Sequence, residues 1–165
     1  MSVDGQARLQ IDINHLDSSD DDSSASPVID ELEKLLPKRH GRPYLPAFAL
    51  THPDEDHCRG FARLIDEVEI GEIWCTTRVL GESEEDLCDD AVEFRKEAER
   101  RLTASIDSNG DPGSGNRIRI IGGSAFLEDK FGGFSEDYIS GPEEQISVID
   151  GMDLAGKFSA LVHAP

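Results

Sequence analysis

The chain has 165 residues, of which 37% are hydrophobic, so it has room for one domain with a real core and for sizeable polar loops. Its formal net charge is −19, from 35 acidic and 16 basic side chains. This charge repels phosphate backbones and attracts metal cations, so nucleic acid binding by this surface alone is disfavoured.

The first third of the chain alternates strand and helix patterns. Residues 7–15 (ARLQIDINH) alternate apolar and polar side chains, which predicts a half-buried strand. Residues 28–38 (VIDELEKLLPK) place their apolar side chains near one helical face, with Pro27 suited to the first turn and Pro37 ending the helix. Residues 44–50 (YLPAFAL) are nearly all apolar, as in a strand buried on both faces.

The middle of the chain repeats the alternation. A helix is predicted from about Arg59, and a strand follows at residues 72–76 (EIWCT). A long helix is predicted from Ser83 to Leu102, with Ser83 and Asp86 approximating a capping box at its start.

The remaining segments complete an α/β pattern. Residues 105–116 have turn chemistry, residues 117–121 (RIRII) predict a strand, and residues 157–165 (KFSALVHAP) predict a strand that reaches a loop. Residues 17–27 combine small polar residues with like charges and predict a mobile acidic loop. We therefore expect one α/β layered domain over residues 1–165.

Four potential metal ligands lie within six residues directly after a buried predicted strand. His52, Asp54 and Asp56 are spaced two apart, and His57 follows at the predicted opening of a helix. An extended loop with this spacing turns alternate side chains toward a common point. Imidazole and carboxylate ligands hold a metal ion and leave a position for water, whose pKa the ion lowers. The alternative is a merely polar loop in which Asp56 caps the helix and the histidines are solvated.

These residues carry a family resemblance. Residues 51–61 (THPDEDHCRGF) resemble the H-x-H-x-D-H signature of the metallo-beta-lactamase superfamily, most closely in the form found in ComEC-type hydrolase domains and related metallohydrolases. The similarity covers roughly Leu9 to Thr76. It implies a metallo-beta-lactamase-type αββα sandwich and a hydrolase that uses one or two divalent ions to activate water.

The resemblance also implies a role for each site residue. His52 and Asp54 correspond to ligands of a first metal position, and Asp56 and His57 to ligands of a second. Asp56 also corresponds to the catalytic residue that orients the attacking water. Asp12 resembles an aspartate near the end of an early strand that supports the site from behind the ligands.

The chain departs from the family pattern at two places. Most members have histidine at the position of Asp54, and an oxygen ligand there shifts the preference from zinc toward manganese or magnesium. The ligands that the family supplies from its second half have no convincing match, so we expect an incomplete fold whose C-terminal half is missing. His163 either corresponds to a further ligand position of the family or is an ordinary loop histidine.

Three functions follow from these patterns. The first is a metal-dependent hydrolase acting on an ester, lactone, amide or phosphodiester. The second is a degenerate, non-catalytic module of the same fold with a regulatory role. The third is a ComEC-like nuclease, which the negative charge disfavours for this chain alone.

The cysteines and the apolar runs bear on location and association. Cys58, Cys75 and Cys88 form no C-x-x-C pair, and the N-terminus has no secretory signal, so we expect reduced thiols in a cytoplasmic protein. No apolar run approaches the roughly 20 residues that cross a bilayer, so no membrane partner is expected. Half of a layered sandwich would expose a sheet face, and we expect association through that face and low stability or activity of the chain alone.

Overall fold

The structure is a computed structural model that describes residues 8–16, 27–81, 83–108, 111–122, 139–140, 145–154 and 160–161. Most of the predicted acidic loop, and His163, lie outside these residues. Among the helices of the described ranges, none is long and apolar enough to cross a bilayer.

Strands and helices are interspersed as far as the long helix that ends at Asp107, and the elements described after it are strands. The helices are α1 (Val28–Leu35), α2 (Glu55–Cys58), α3 (Phe61–Glu67), α4 (Thr77–Gly81) and α5 (Asp89–Asp107), with a 3-10 turn at Glu84–Asp86. The strands are β1 (Leu9–Ile11), β2 (Lys38–Arg39), β3 (Arg42–Leu50), β4 (Glu69–Thr76), β5 (Arg117–Ile121), β6 (Ile139–Ser140), β7 (Gln145–Ile146), β8 (Val148–Ile149), β9 (Met152–Asp153) and β10 (Ala160–Leu161).

A mostly parallel sheet forms the centre of the fold. Its strand order is β1-β3-β4-β5-β6, with every neighbouring pair parallel, and β2 pairs antiparallel with β3. Within the described residues, two further two-stranded antiparallel sheets join β7 to β10 and β8 to β9. Helices flank the parallel sheet, which confirms the predicted mixed α/β class.

Helices cover one face of the sheet with a large apolar core. Phe48 of β3, Phe61 of α3 and Phe94 of α5 meet there, with ring centroids 4.9–6.0 Å apart. Such aromatic pairs add to the stabilisation from burial. On the other face, Trp74 packs in a smaller cluster with Ala47, Ile146, Ile149 and Leu154.

The predicted start of the long helix is wrong. The chain forms the 3-10 turn at Glu84–Asp86, Leu87 and Cys88 are extended, and α5 begins at Asp89. Ser83 makes no capping hydrogen bond with its side chain. The break has a packing reason, since Leu87 and Cys88 pack against the main apolar core. The helix also runs beyond the predicted end, to Asp107.

A buried charged cluster lies at the amino-terminal edge of the parallel strands. Asp150, in the turn between β8 and β9, has a side chain that is only 2% exposed. Its backbone amide donates to Glu72 Oε2 at 2.7 Å. Its carboxylate accepts hydrogen bonds from four side chains: Arg39, Tyr44, Ser114 and Arg117. These bonds fasten the β8–β9 hairpin to the central sheet.

Candidate metal centre

Two adjacent parallel strands bring the candidate site together. The motif loop, residues 51–57, follows the carboxyl end of β3, and Asp12 follows β1. Because β1 and β3 are parallel, both segments emerge at the same edge of the sheet. Asp12 N donates to Ala49 O at 2.8 Å, and Ile13 N donates to His57 O at 2.7 Å, so the chain after β1 runs along the motif loop.

Asp12 is the hub of the site. Its backbone has a φ of 52°, a left-handed conformation that aspartate and asparagine adopt more readily than most residues. Its Oδ1 accepts a hydrogen bond from Thr51 N at 2.8 Å. Its Oδ2 is 2.8 Å from both Thr51 Oγ1 and His57 Nδ1. The left-handed turn ends the predicted strand at Ile11, earlier than its alternating pattern indicates.

The hydrogen bonds select one ring nitrogen of each histidine. His57 Nδ1–H donates to Asp12, which leaves the lone pair of His57 on Nε2. The Thr51 hydroxyl donates to Asp12 and lies 2.8 Å from His52 Nδ1, so it accepts from that nitrogen and leaves the lone pair of His52 on Nε2. The two ring centroids are 3.6 Å apart.

A carboxylate stands near each of these Nε2 atoms. Asp54 Oδ2 is 3.5 Å from His52 Nε2, and Asp56 Oδ2 is 3.6 Å from His57 Nε2. These are the pairs that the family resemblance implies for two metal positions. The structure thus brings all five candidate residues of the described chain together, while their roles as ligands stay predictions.

Negative charge favours the protonated form of His57. The hydrogen bond that His57 donates to Asp12 has the largest effect and raises the pKa of His57, burial lowers it by less than this bond raises it, and the charges of Asp12, Asp56 and Asp54 raise it further. The nearby negative charges therefore stabilise a positive charge at this position. A proton and a metal ion would compete for the same Nε2.

The four side chains are of chemical types that bind divalent ions, although they do not converge on one point. In the described part of the chain, no three His, Cys, Asp or Glu side chains form a ready metal-binding cluster. The side chains of Asp54 and Asp56 are 53% and 71% exposed, so packing does not oppose their rotation toward the histidines. Two imidazoles and two carboxylates match the ligand chemistry of zinc and manganese sites.

The structure corrects two details of the polar-loop alternative, the capping residue and the start of the helix. Asp56 lies inside α2, and the N-cap position belongs to Asp54, whose side chain makes no capping hydrogen bond. The predicted helix opening at His57 is also wrong, since α2 begins at Glu55. His52 and His57 are 30% and 29% exposed and are hydrogen-bonded rather than fully solvated.

Two residues near the site escaped the sequence reasoning. Arg78 of α4 places Nη2 3.8 Å from Asp54 Oδ1. Thr76, at the end of β4, donates from its hydroxyl to Thr51 O at 3.0 Å. The strand predicted at residues 72–76 could have indicated Thr76 as a neighbour of the site. β4 is the parallel neighbour of β3, so its carboxyl end reaches the same edge.

An open cleft adjoins the site. Its volume is about 560 Å³, and Asp12, Asp56 and His57 line one side of it. The apolar side chains of Ile11, Ile13, Leu16 and Val28 contribute to the remaining lining. The lining therefore combines charged and apolar side chains.

The turn after the motif loop is held from two sides. Asp90 of α5 accepts hydrogen bonds from Gly60 N at 2.8 Å and from Ala62 N at 2.9 Å. His15 is buried there and accepts a hydrogen bond from Ile29 N, and its Nε2 lies 2.7 Å from Arg63 Nη1.

Gly60→Ala is expected to destabilise the chain by about 2–5 kcal/mol. Gly60 has a φ of 91°, which costs other residues roughly 1–2 kcal/mol, and a Cβ there would lie 2.6 Å from His15 Cβ, where overpacking adds about 1–3 kcal/mol. Urea unfolding measures the change. Gly113→Ala is the matched control, since Gly113 also has a positive φ but open space around it. Equal losses in the two variants would contradict the proposed crowding by His15.

Comparisons with known proteins add no relative to these observations. The chain matches no protein-family model, and neither the curated proteins nor the solved structures contain a match.

Proposed function

We propose that the chain is a metal-dependent hydrolase that uses one or two divalent ions. One observation carries this proposal: hydrogen bonds to Asp12 and Thr51 leave the Nε2 lone pairs of both His52 and His57 available, and each faces a carboxylate. Solvated histidines of a linker loop would have no reason to be oriented in this way. Metal-binding histidines, by contrast, are commonly held by a hydrogen bond from the second ring nitrogen.

The proposed fold is the metallo-beta-lactamase-type αββα sandwich. Support comes from the parallel β3, β4 and β5 and from the position of the motif loop between β3 and the short helix α2. The described sheet and its flanking helices are compatible with one sheet layer and one helix layer of such a sandwich.

Each residue has a separate task in the proposed reaction. When bound, a divalent ion supplies a Lewis acid that lets water ionise near neutral pH. His52 and Asp54 would hold one ion, and Asp56 and His57 would hold a second. Asp56 also accepts a hydrogen bond from the attacking water and so orients it. Asp12 keeps the proton of His57 on Nδ1, away from the ion.

The proposed substrate is an ester, lactone, amide or phosphodiester, and these residues do not choose among them. The adjoining cleft has apolar side chains in its lining, which supports a substrate with an apolar part. Asp54 adds an oxygen ligand where nitrogen is usual, which favours manganese or magnesium over zinc. The net charge of −19 disfavours a long nucleic acid as the substrate.

A degenerate, non-catalytic module is the second candidate. The pairwise arrangement of ligands, with 3.5 and 3.6 Å between the histidine nitrogens and the carboxylates, favours it over a rigid preformed centre. Such a module would bind an ion weakly or not at all and would hydrolyse nothing.

Metal uptake tests the proposal. The purified chain is measured for metal content and for thermal shift with manganese, zinc and magnesium, beside the double variant His52→Ala with Asp56→Ala. An ion at about 100 times its Kd stabilises the folded chain by about 2.7 kcal/mol, which raises the Tm by about 5–10 °C. We expect this shift in the wild type and its loss in the double variant.

The matched control removes the same chemical groups from residues outside the proposed ligand set. His40→Asn with Glu55→Gln deletes an imidazole and a carboxylate whose described partners are only Glu69 and Arg59. This variant should keep the full thermal shift. Metal uptake followed by hydrolysis of a nitrophenyl ester or phosphodiester supports the enzyme. Metal uptake without hydrolysis of any such substrate supports the degenerate module. Absence of metal uptake by the wild type overturns the metal site.

A further inference from the structure

Two thiols face each other next to the candidate site. Cys58 ends α2 and is fully buried, and Cys88 is the N-cap residue of α5 and is half-buried. Their sulfur atoms are 3.4 Å apart. Cys75, the remaining cysteine, is buried within β4.

Hydrogen bonds of neighbouring residues, rather than contact between the two thiols, keep Cys58 and Cys88 close together. Asp90, two residues after Cys88, accepts hydrogen bonds from Gly60 N and Ala62 N, shortly after Cys58. These bonds fix the start of α5 against the turn between α2 and α3. The extended backbone at Cys88 also turns its side chain into the apolar core, toward Cys58.

We propose that Cys58 and Cys88 form a reversible disulfide bond and are therefore a redox modification site. The oxidant is a small-molecule disulfide such as oxidised glutathione. The Cys88 sulfur, the more accessible of the two, attacks it as the thiolate, and one small thiol leaves. The Cys58 sulfur then attacks the Cys88 sulfur, and the second small thiol leaves. Two protein thiols are oxidised and one small disulfide is reduced to two thiols, so electrons and protons balance.

Closing the bond changes the motif loop. A disulfide has an S–S distance of about 2.05 Å, so the sulfur atoms must approach by roughly 1.4 Å. Oxidation also removes the S–H of Cys58 that lies 3.3 Å from Asp54 O. Cys58 directly follows His57, so, if the proposed metal function holds, oxidation should weaken metal binding as well.

The experiment detects the bond without any metal. The full chain is incubated in glutathione buffers of increasing oxidised fraction, with a chelator present, quenched with N-ethylmaleimide and analysed by intact mass and peptide mapping. We expect a single Cys58–Cys88 linked peptide pair, one thiol labelled on Cys75 after denaturation, and full reversal by dithiothreitol.

Variants separate this pair from general thiol oxidation. Cys75→Ala should retain the linked pair, and Cys88→Ser should lose it without forming another. Since Cys58 is fully buried, Cys58→Ala is judged by its product, which should be glutathionylated Cys88. The same oxidation in urea should give mixed pairings, because only the fold selects this pair. Wild-type chain with glutathione on Cys88 and no linked pair, or with three unmodified thiols, overturns the proposal. Metal titration of the oxidised and reduced chains then tests the coupling separately.

Discussion

Asp12→Asn is expected to weaken divalent-ion binding by about 10- to 100-fold while leaving the fold in place. Thr51 N requires an acceptor at the position of Oδ1, so the asparagine carbonyl takes that place and its amide group faces His57 Nδ1. The amide donates to Nδ1, which moves the ring proton to Nε2 and blocks the lone pair that would bind the ion. Asparagine tolerates the left-handed φ of 52°, so the backbone need not change.

Two measurements separate this mechanism from a simple loss of charge. Calorimetric titration with manganese gives the affinity, and ¹⁵N NMR of the metal-free chain, above the pKa of His57, reports which ring nitrogen carries the proton. Glu55→Gln is the control, because it removes one charge from the same segment and its described side-chain contact is with Arg59 alone. A changed tautomer with unchanged affinity would show that His57 is not a ligand. An unchanged tautomer would contradict the contact between Asp12 and His57.

Asp150→Asn should lower the free energy of unfolding by about 3–5 kcal/mol, because it breaks a buried ion pair on one side only. The carboxylate of Asp150 lies 2.7 Å from Arg117 Nη1 and accepts three further hydrogen bonds. The NH2 group of asparagine at this position would face side chains that themselves donate hydrogen bonds. Arg117 would also lose its buried counter-charge. Asparagine tolerates the φ of 47° there, so the loss reports the charge rather than the backbone.

Asp111 provides the matched control for Asp150. It also pairs with Arg117 at 2.7 Å, through Nη2, but its side chain is 73% exposed. Water and salt screen that pair, so Asp111→Asn should cost far less than Asp150→Asn in urea unfolding at the same pH. Similar losses for both variants would mean that burial does not determine the contribution of these two bonds. Chevron plots would show how the loss divides between the folding rate and the unfolding rate.

The periodic elements of the fold could be predicted from the sequence. β3, β4 and β5 follow from apolar runs and from alternation, and α1 follows from its helical apolar face and from Pro27 and Pro37. The start of α5 could not, because a local capping pattern at Ser83 competed with the burial of Leu87 and Cys88 by distant residues. Tertiary packing of this kind leaves no mark on the local sequence.

The ligand candidates could likewise be predicted, but not what holds them. His52, Asp54, Asp56 and His57 are adjacent in the sequence, and their spacing is visible there. The carboxylates of Asp12 and Asp90, which accept hydrogen bonds from the motif loop and from the turn after it, lie about 30 to 45 positions away in the sequence. Pairing of β1 with β3, and docking of α5 on α3, create these contacts, and both depend on the register of the assembled sheet.

β1 gives the site a weak point at its edge. It has three residues, and in the described sheet it is an edge strand that pairs with β3 alone. Short edge strands belong to the parts of a protein that open most readily. Each opening would carry Asp12 away from His57 and return the imidazole to tautomeric freedom. For the proposed metal site, ion affinity and the closing of this edge would therefore be linked equilibria, and a bound ion would stabilise the pairing of the first strand with the sheet.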